Sequence, residues 1–111
     1  MFKLASVFVL IVISTNQTSS QSENCAPPER RSAAIRYARE INTMEAAAFG
    51  QLRSYQSLEQ LPARRLPNDY VVQHPTDGTA YLFSIKDNTD PCRGAVFSDQ
   101  TGVIYTGVPI Q

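Results

Sequence analysis

The sequence contains a single histidine, His74, and this scarcity excludes several kinds of catalytic and metal site. A His-rich zinc site and a catalytic histidine pair both need more than one imidazole. His74 precedes Pro75 at the predicted end of a strand, so we interpret it as a surface side chain, with a general base as the alternative. No zinc-ligand spacing, glycine-rich phosphate loop or hydrolase nucleophile motif occurs in the sequence. We therefore expect a protein without catalytic residues, a cofactor or a bound metal.

The chain also lacks a surplus of charge of either sign. It has 10 basic and 10 acidic side chains, and removal of a leader that contains Lys3 would leave nine basic and ten acidic ones. A nucleic-acid-binding domain needs a basic surplus for its contacts with phosphates. The pairs Arg30-Arg31 and Arg64-Arg65 are interpreted as solvated surface. We expect no nucleic-acid partner.

The apolar run near the start of the chain is too short for a membrane span. Lys3 precedes an apolar run from Leu4 to Ile13, and small polar residues follow from Ser14 to Ser22. A span needs about 20 apolar residues, whereas this order and length are typical of a secretory signal peptide. We predict a signal peptide at residues 1–20 and a secreted or periplasmic mature chain without a membrane span. A leader retained as an anchor is the alternative.

Only two cysteines are present, Cys25 and Cys92. In an oxidising compartment, such a pair most simply forms one disulfide. The bond would tie a polar N-terminal arm, residues 21–27, to a late loop. Free thiols are one alternative. A lipid on Cys25 is the other, although the preceding Ser22-Glu23-Asn24 lacks the aliphatic residue of a bacterial lipobox.

Apolar side chains then recur at spacings of three and four, which is the helical period. Pro27-Pro28-Glu29 is typical of a helix start, because Pro fits the first turn and an acidic side chain there interacts favourably with the helix dipole. We predict one long amphipathic helix from Pro28 to Gly50 or Leu52, with Glu45 half-buried beside its apolar stripe. Ser57–Leu61 predicts one further helical turn.

The hydrophobic period changes to two after residue 68. Predicted strands cover Asp69–His74, Thr79–Lys86, Ala95–Ser98 and Val103–Thr106. Their short connections predict an antiparallel meander. The fold class is therefore α+β, with one long helix packed on a four-stranded sheet in two layers and a single domain over residues 28–111. The expected core comprises Tyr37, Ile41, Met44, Ala48, Tyr81, Phe83, Ile85, Phe97 and Ile104.

The polar loop from Asp87 to Gly94 joins the second and third predicted strands. Loops carry recognition more often than the elements they connect, so Asp87, Asn88, Asp90 and Arg93 are predicted as a contact surface. We interpret the acidic residues as turn-forming side chains. A weak Ca²⁺ site is the alternative, although Pro91 stands where the EF-hand spacing requires a ligand.

Three short runs resemble the globular half of bacterial type IV pilin-like proteins and pseudopilins: Ile41–Glu45, Ser54–Leu61 and Phe97–Ile104. The resemblance covers residues 32–106. It implies a pilin-head fold and a non-enzymatic subunit that contacts other proteins. The prepilin-peptidase site of that family, with Gly before a Phe-Thr-Leu-Ile-Glu-like start, is absent, and Pro27-Pro28 would break a continuous filament helix.

The resemblance thus implies a secreted pilin-like head domain that contacts a protein partner in the cell envelope or a secretion system. The alternative is a free binding or inhibitor module of cystatin-like architecture, which also lays one helix over an antiparallel sheet. The Gln-x-Val-x-Gly loop of cystatins is missing, and the nearest string is Val71-Val72-Gln73. The sequence does not specify an oligomeric state.

Overall fold

The computed structural model of the protein describes residues 25–108. The predicted signal peptide and residues 21–24 of the predicted arm lie outside the described residues. The elements are α1 (Pro28–Leu52), β1 (Tyr70–Gln73), β2 (Leu82–Asp87), β3 (Ala95–Asp99) and β4 (Tyr105–Gly107). The strands pair antiparallel in the order β1-β2-β3-β4. This order confirms the predicted α+β class and the meander.

Helix α1 begins and ends at the predicted residues. Pro28 occupies the first helical position and Glu29 lies in the first turn. Arg53 caps the helix directly after Leu52: it adopts a left-handed conformation with φ of 58° and donates its N–H to the Phe49 carbonyl at 2.9 Å. Its buried face lies on β2 and β3 and consists of Ala34, Tyr37, Ala38, Ile41 and Glu45. Within residues 25–108, no helix combines the length and the hydropathy that a membrane span requires.

The core between helix and sheet follows the predicted alternation on β2 but not on β3. Tyr81, Phe83 and Ile85 are buried as predicted. The prediction for Phe97 was wrong, because its side chain is 41% exposed and the buried residues of β3 are Val96 and Ser98. Since successive strand residues point to opposite faces, burying Val96 turns Phe97 outward.

Between α1 and β1, Ser57–Leu61 forms the single turn that was predicted, in which the Gln60 and Leu61 N–H groups donate to the Ser57 carbonyl at 3.0 and 3.2 Å. The chain just before it is hydrogen-bonded to the segment 75–78, which lies between β1 and β2. The Tyr55 N–H donates to the Gly78 carbonyl at 2.9 Å. Gly78 has φ of 91°, and a Cβ there would lie 2.9 Å from the Ser54 hydroxyl, so this contact requires glycine.

Candidate functional site

The loop after β2 is fastened to the N-terminal arm by a covalent bond and by a carboxylate. Cys25 and Cys92 form the predicted disulfide, with Cα atoms 5.1 Å apart. Oδ1 of Asp90 accepts the N–H groups of Ala26 and Cys92 at 2.9 and 3.0 Å, and Oδ2 accepts that of Gly94 at 3.3 Å. Burial opposes ionisation of Asp90, but these three donors outweigh it and lower its pKa.

Asp87, at the start of the loop, is bound to the first turns of α1. Arg30 donates from Nε to Oδ2 at 2.8 Å and from Nη2 to Oδ1 at 2.7 Å, which is a bidentate pair. The same guanidinium stacks on the Tyr70 ring at 4.2 Å. The hydrogen bonds from Arg30 hold the pKa of Asp87 well below its usual range. Asp87 is therefore part of the scaffold that holds the loop in place.

The four residues predicted as a contact loop thus divide into two kinds. Asp87 and Asp90 point their oxygens at donors of the protein itself, whereas Asn88 and Arg93 are exposed. Since Ca²⁺ would have to displace Arg30 and the backbone donors from these carboxylates, the geometry favours the turn-forming interpretation over a cation site.

All four residues line a cleft of about 490 Å³ beside the sheet, which we call the loop cleft. It lies on the face of the sheet opposite α1 and includes the ends of β2 and β4 and the start of β3. It is lined by Lys86, Asp87, Asn88, Asp90, Arg93, Gly94, Ala95, Phe97, Gly107 and Val108. A cleft of this volume is within the range of ligand-binding pockets.

The sheet face that carries the loop cleft is rich in exposed apolar side chains. We call it the outer sheet face. Leu82 is 58% exposed, Phe97 41% and Tyr105 56%, and Phe97 lies directly opposite Tyr105 on the neighbouring strand. Val71 on β1 is also exposed. Large exposed apolar side chains that share one face are typical of a protein-contact surface.

Strand β4 forms one edge of the sheet. Its three residues, Tyr105–Gly107, are all exposed, and in the described part of the chain it pairs with β3 alone. Its other side therefore presents backbone N–H and C=O groups that can pair with an added strand.

The only histidine lies elsewhere, in the core. The prediction of a surface side chain at His74 was wrong, because its side chain is 2% exposed. Its Nε2 lies 3.0 Å from Oε2 of Glu45, which is fully buried and not half-buried as expected. The contact has the distance of an ion pair, and neither atom forms a hydrogen bond with any residue that the structure describes.

A chain of hydrogen bonds begins at Tyr81, beside this pair. The His74 ring stacks on Tyr81, whose hydroxyl donates to Oδ1 of Asn42 at 2.6 Å. Asn42 in turn donates to the Ser98 hydroxyl, which donates to the Val103 carbonyl. Burial, and then the charge of Glu45, raises the pKa of Tyr81 to about 12. The hydrogen bonds from Tyr81 to Asn42 and from Asn42 to Ser98 thus satisfy polar groups between α1 and the sheet.

Sequence reasoning found the loop but missed the apolar part of the loop cleft and the buried pair. The cleft residues Lys86, Gly107 and Val108 carry no motif. Glu45 did carry a signal, because it follows Ile41 by four residues on the same helical face. Comparison of the chain with protein-family models, with curated protein sequences and with solved structures gives no match in any of the three.

Proposed function

We propose that the chain is an extracytoplasmic, non-enzymatic interaction domain of pilin-head-like architecture. Its role is to bind a protein partner in the cell envelope or a secretion system through the outer sheet face. The observation that carries this proposal is the separation of its two faces: α1 covers one face of the sheet, while the other exposes Leu82, Phe97 and Tyr105. Such an uncovered apolar face fits a surface that another protein covers.

The location rests on the disulfide and on the predicted signal peptide. Disulfides persist in oxidising compartments and are rare in the bacterial cytoplasm. The Cys25–Cys92 bond therefore supports a site of action outside the cytoplasm.

The non-enzymatic role rests on where the reactive groups lie. The His74 imidazole and the Glu45 carboxylate are buried against each other, and the Tyr81 hydroxyl is bound to Asn42. A general acid or base must reach a substrate within hydrogen-bond distance. Among residues 25–108, the exposed polar groups of the loop cleft offer charge and hydrogen bonds for recognition and no nucleophile–base pair.

The test is site-specific photo-crosslinking in cells of the native host. A photoreactive amino acid replaces Leu82 or Tyr105 on the outer sheet face and, as matched controls, the exposed Arg39 or Glu59 away from this face. We expect a discrete envelope-protein adduct from the first two positions and none from the controls. Equal adducts from both pairs, or none from either, would contradict the proposal.

A further inference from the structure

The loop cleft combines small residues with an aromatic side chain. Its floor is formed by Ala95 and Gly107, which face each other across β3 and β4, and its wall by Phe97. A Cβ on Gly107 would meet nothing within 4 Å, so the space above this residue is open. Small residues on the floor beside an aromatic wall leave room for an apolar side chain from outside.

The exposed charge around the loop cleft is positive. The formal charges of the loop are mixed, but the oxygens of Asp87 and Asp90 are bound to Arg30 and to backbone N–H groups. Lys86 and Arg93 are exposed and form no ion pair with any other described residue. An occupant with a carboxylate would therefore complement the two cations.

The edge of β4 gives the occupant its direction. A peptide that adds as a fifth strand beside Tyr105–Gly107 would place alternate side chains on the outer sheet face. Because Gly107 has no side chain, one of those residues can reach the loop cleft over it. The next side chain on the same face is two residues away in the peptide.

From these three features we infer that the loop cleft binds an extended segment of a partner protein, with a bulky apolar side chain over Gly107 and a carboxylate two residues from it facing Arg93. This inference rests on the proposed function and names the chemistry of its partner. The segment would form backbone hydrogen bonds along the β4 edge.

The experiment uses the protein expressed with its own leader, purified, and labelled with ¹⁵N. The probes are N-acetylated, C-amidated peptides Ser-Val-X-Thr-Glu-Val-Ser, in which X is Phe, Leu or Ile. Matched peptides carry Lys in place of Glu, or Ala in place of X. We expect amide shifts at Gly94, Ala95, Phe97 and Gly107, and an affinity about fivefold higher for Glu than for Lys peptides, as a contact between exposed charges provides.

A charge reversal distinguishes this charge contact from nonspecific peptide binding. In Arg93→Glu the preference should move toward the Lys peptides, because the cleft then carries a carboxylate at that position. Arg39→Glu makes the same charge change on the exposed surface of α1 and should keep the original preference. Arg93 is exposed in the loop after β2, so its replacement leaves the core intact.

Several outcomes would overturn the inference: no shifts at millimolar peptide, shifts away from the loop cleft, equal binding of Glu and Lys peptides, or concentration-dependent shifts without peptide, which would indicate a second copy of the chain. Failure here is distinct from failure of the proposed function. Adducts from Leu82 and Tyr105 without peptide binding would leave the envelope partner in place and remove the cleft. Peptide binding without adducts would support the cleft and contradict the envelope partner.

Discussion

Nε2 of His74 lies 3.0 Å from Oε2 of Glu45, with both side chains buried. The other carboxylate oxygen, Oε1, accepts the Gln56 N–H at 2.8 Å. One carboxylate thus fastens α1 to the segment that follows it and to the residue after β1. Burying a charged group costs free energy unless partners compensate it. The two contacts of Glu45 are therefore interdependent, because each offsets part of the cost of burying the same carboxylate.

We predict that Glu45→Ala lowers the free energy of unfolding by about 3 kcal/mol, because His74 loses the buried carboxylate 3.0 Å from its Nε2 and the partly buried Gln56 N–H loses its acceptor. Glu45→Gln keeps an acceptor for Gln56 and should cost less. Urea unfolding followed by circular dichroism measures both. Glu59→Ala removes an exposed carboxylate and should stay within about 0.5 kcal/mol of wild type.

Coupling between the two residues is measurable with the double variant Glu45→Ala/His74→Ala. Because the two side-chain atoms are 3.0 Å apart, the double variant should lose about 1–3 kcal/mol less than the sum of the single variants. Additive losses would mean that the two side chains are merely neighbours.

The contact between His74 and Glu45 could not be predicted from the sequence, although the helix and the sheet could. The period of 3.6 predicted the limits of α1, and short turns predicted the meander, because both are local signals. His74 and Glu45 are far apart in sequence, and only the packing of α1 on the sheet brings them together. A lone polar residue at a strand end is expected to lie at the surface unless its distant partner is known.

The wrong prediction of which β3 residues are buried has a different cause from the missed His74–Glu45 pair. Ala95-Val96-Phe97-Ser98 places one large apolar residue on each face, so alternation alone does not select the buried one. The larger side chain of Phe97 made it the expected core residue, whereas the fold buries Val96 and Ser98. The buried Ser98 hydroxyl is hydrogen-bonded to Asn42 and to the Val103 carbonyl. The same ambiguity hid the apolar outer sheet face from sequence reasoning.

This register can be tested by truncating the two neighbours. Val96→Ala should lower the free energy of unfolding by about 2 kcal/mol, since buried methyl groups are removed and a cavity remains. Phe97→Ala should cost less than about 1 kcal/mol although it removes more atoms, because its ring is 41% exposed. Denaturation midpoints of both variants decide the order, and the reverse order would contradict the described face of β3.

The disulfide closes a loop of 67 residues. Its removal in Cys25→Ser/Cys92→Ser should lower the free energy of unfolding by about 4 kcal/mol, mainly by freeing the unfolded chain. Urea unfolding of the double variant measures the loss, and wild type in a thiol reductant should reproduce it. An unchanged midpoint in both samples would mean that Asp90 and Arg30 alone hold the arm and the loop.

The pair of Arg30 and Asp87 makes a prediction about acid. The hydrogen bonds from Arg30 lower the pKa of Asp87 in the folded state, whereas in the unfolded chain an Asp titrates near its ordinary value of about 4. The stabilisation is therefore fully present above pH 4 and declines as the pH falls below that value toward the lowered pKa.

Urea midpoints between pH 6 and pH 2 should fall steeply for wild type and less steeply for Asp87→Asn, which is already weakened at pH 6. The exposed Glu59→Gln supplies the control and should keep the wild-type slope. Parallel slopes for Asp87→Asn and wild type would mean that the bidentate contact contributes nothing to the fold.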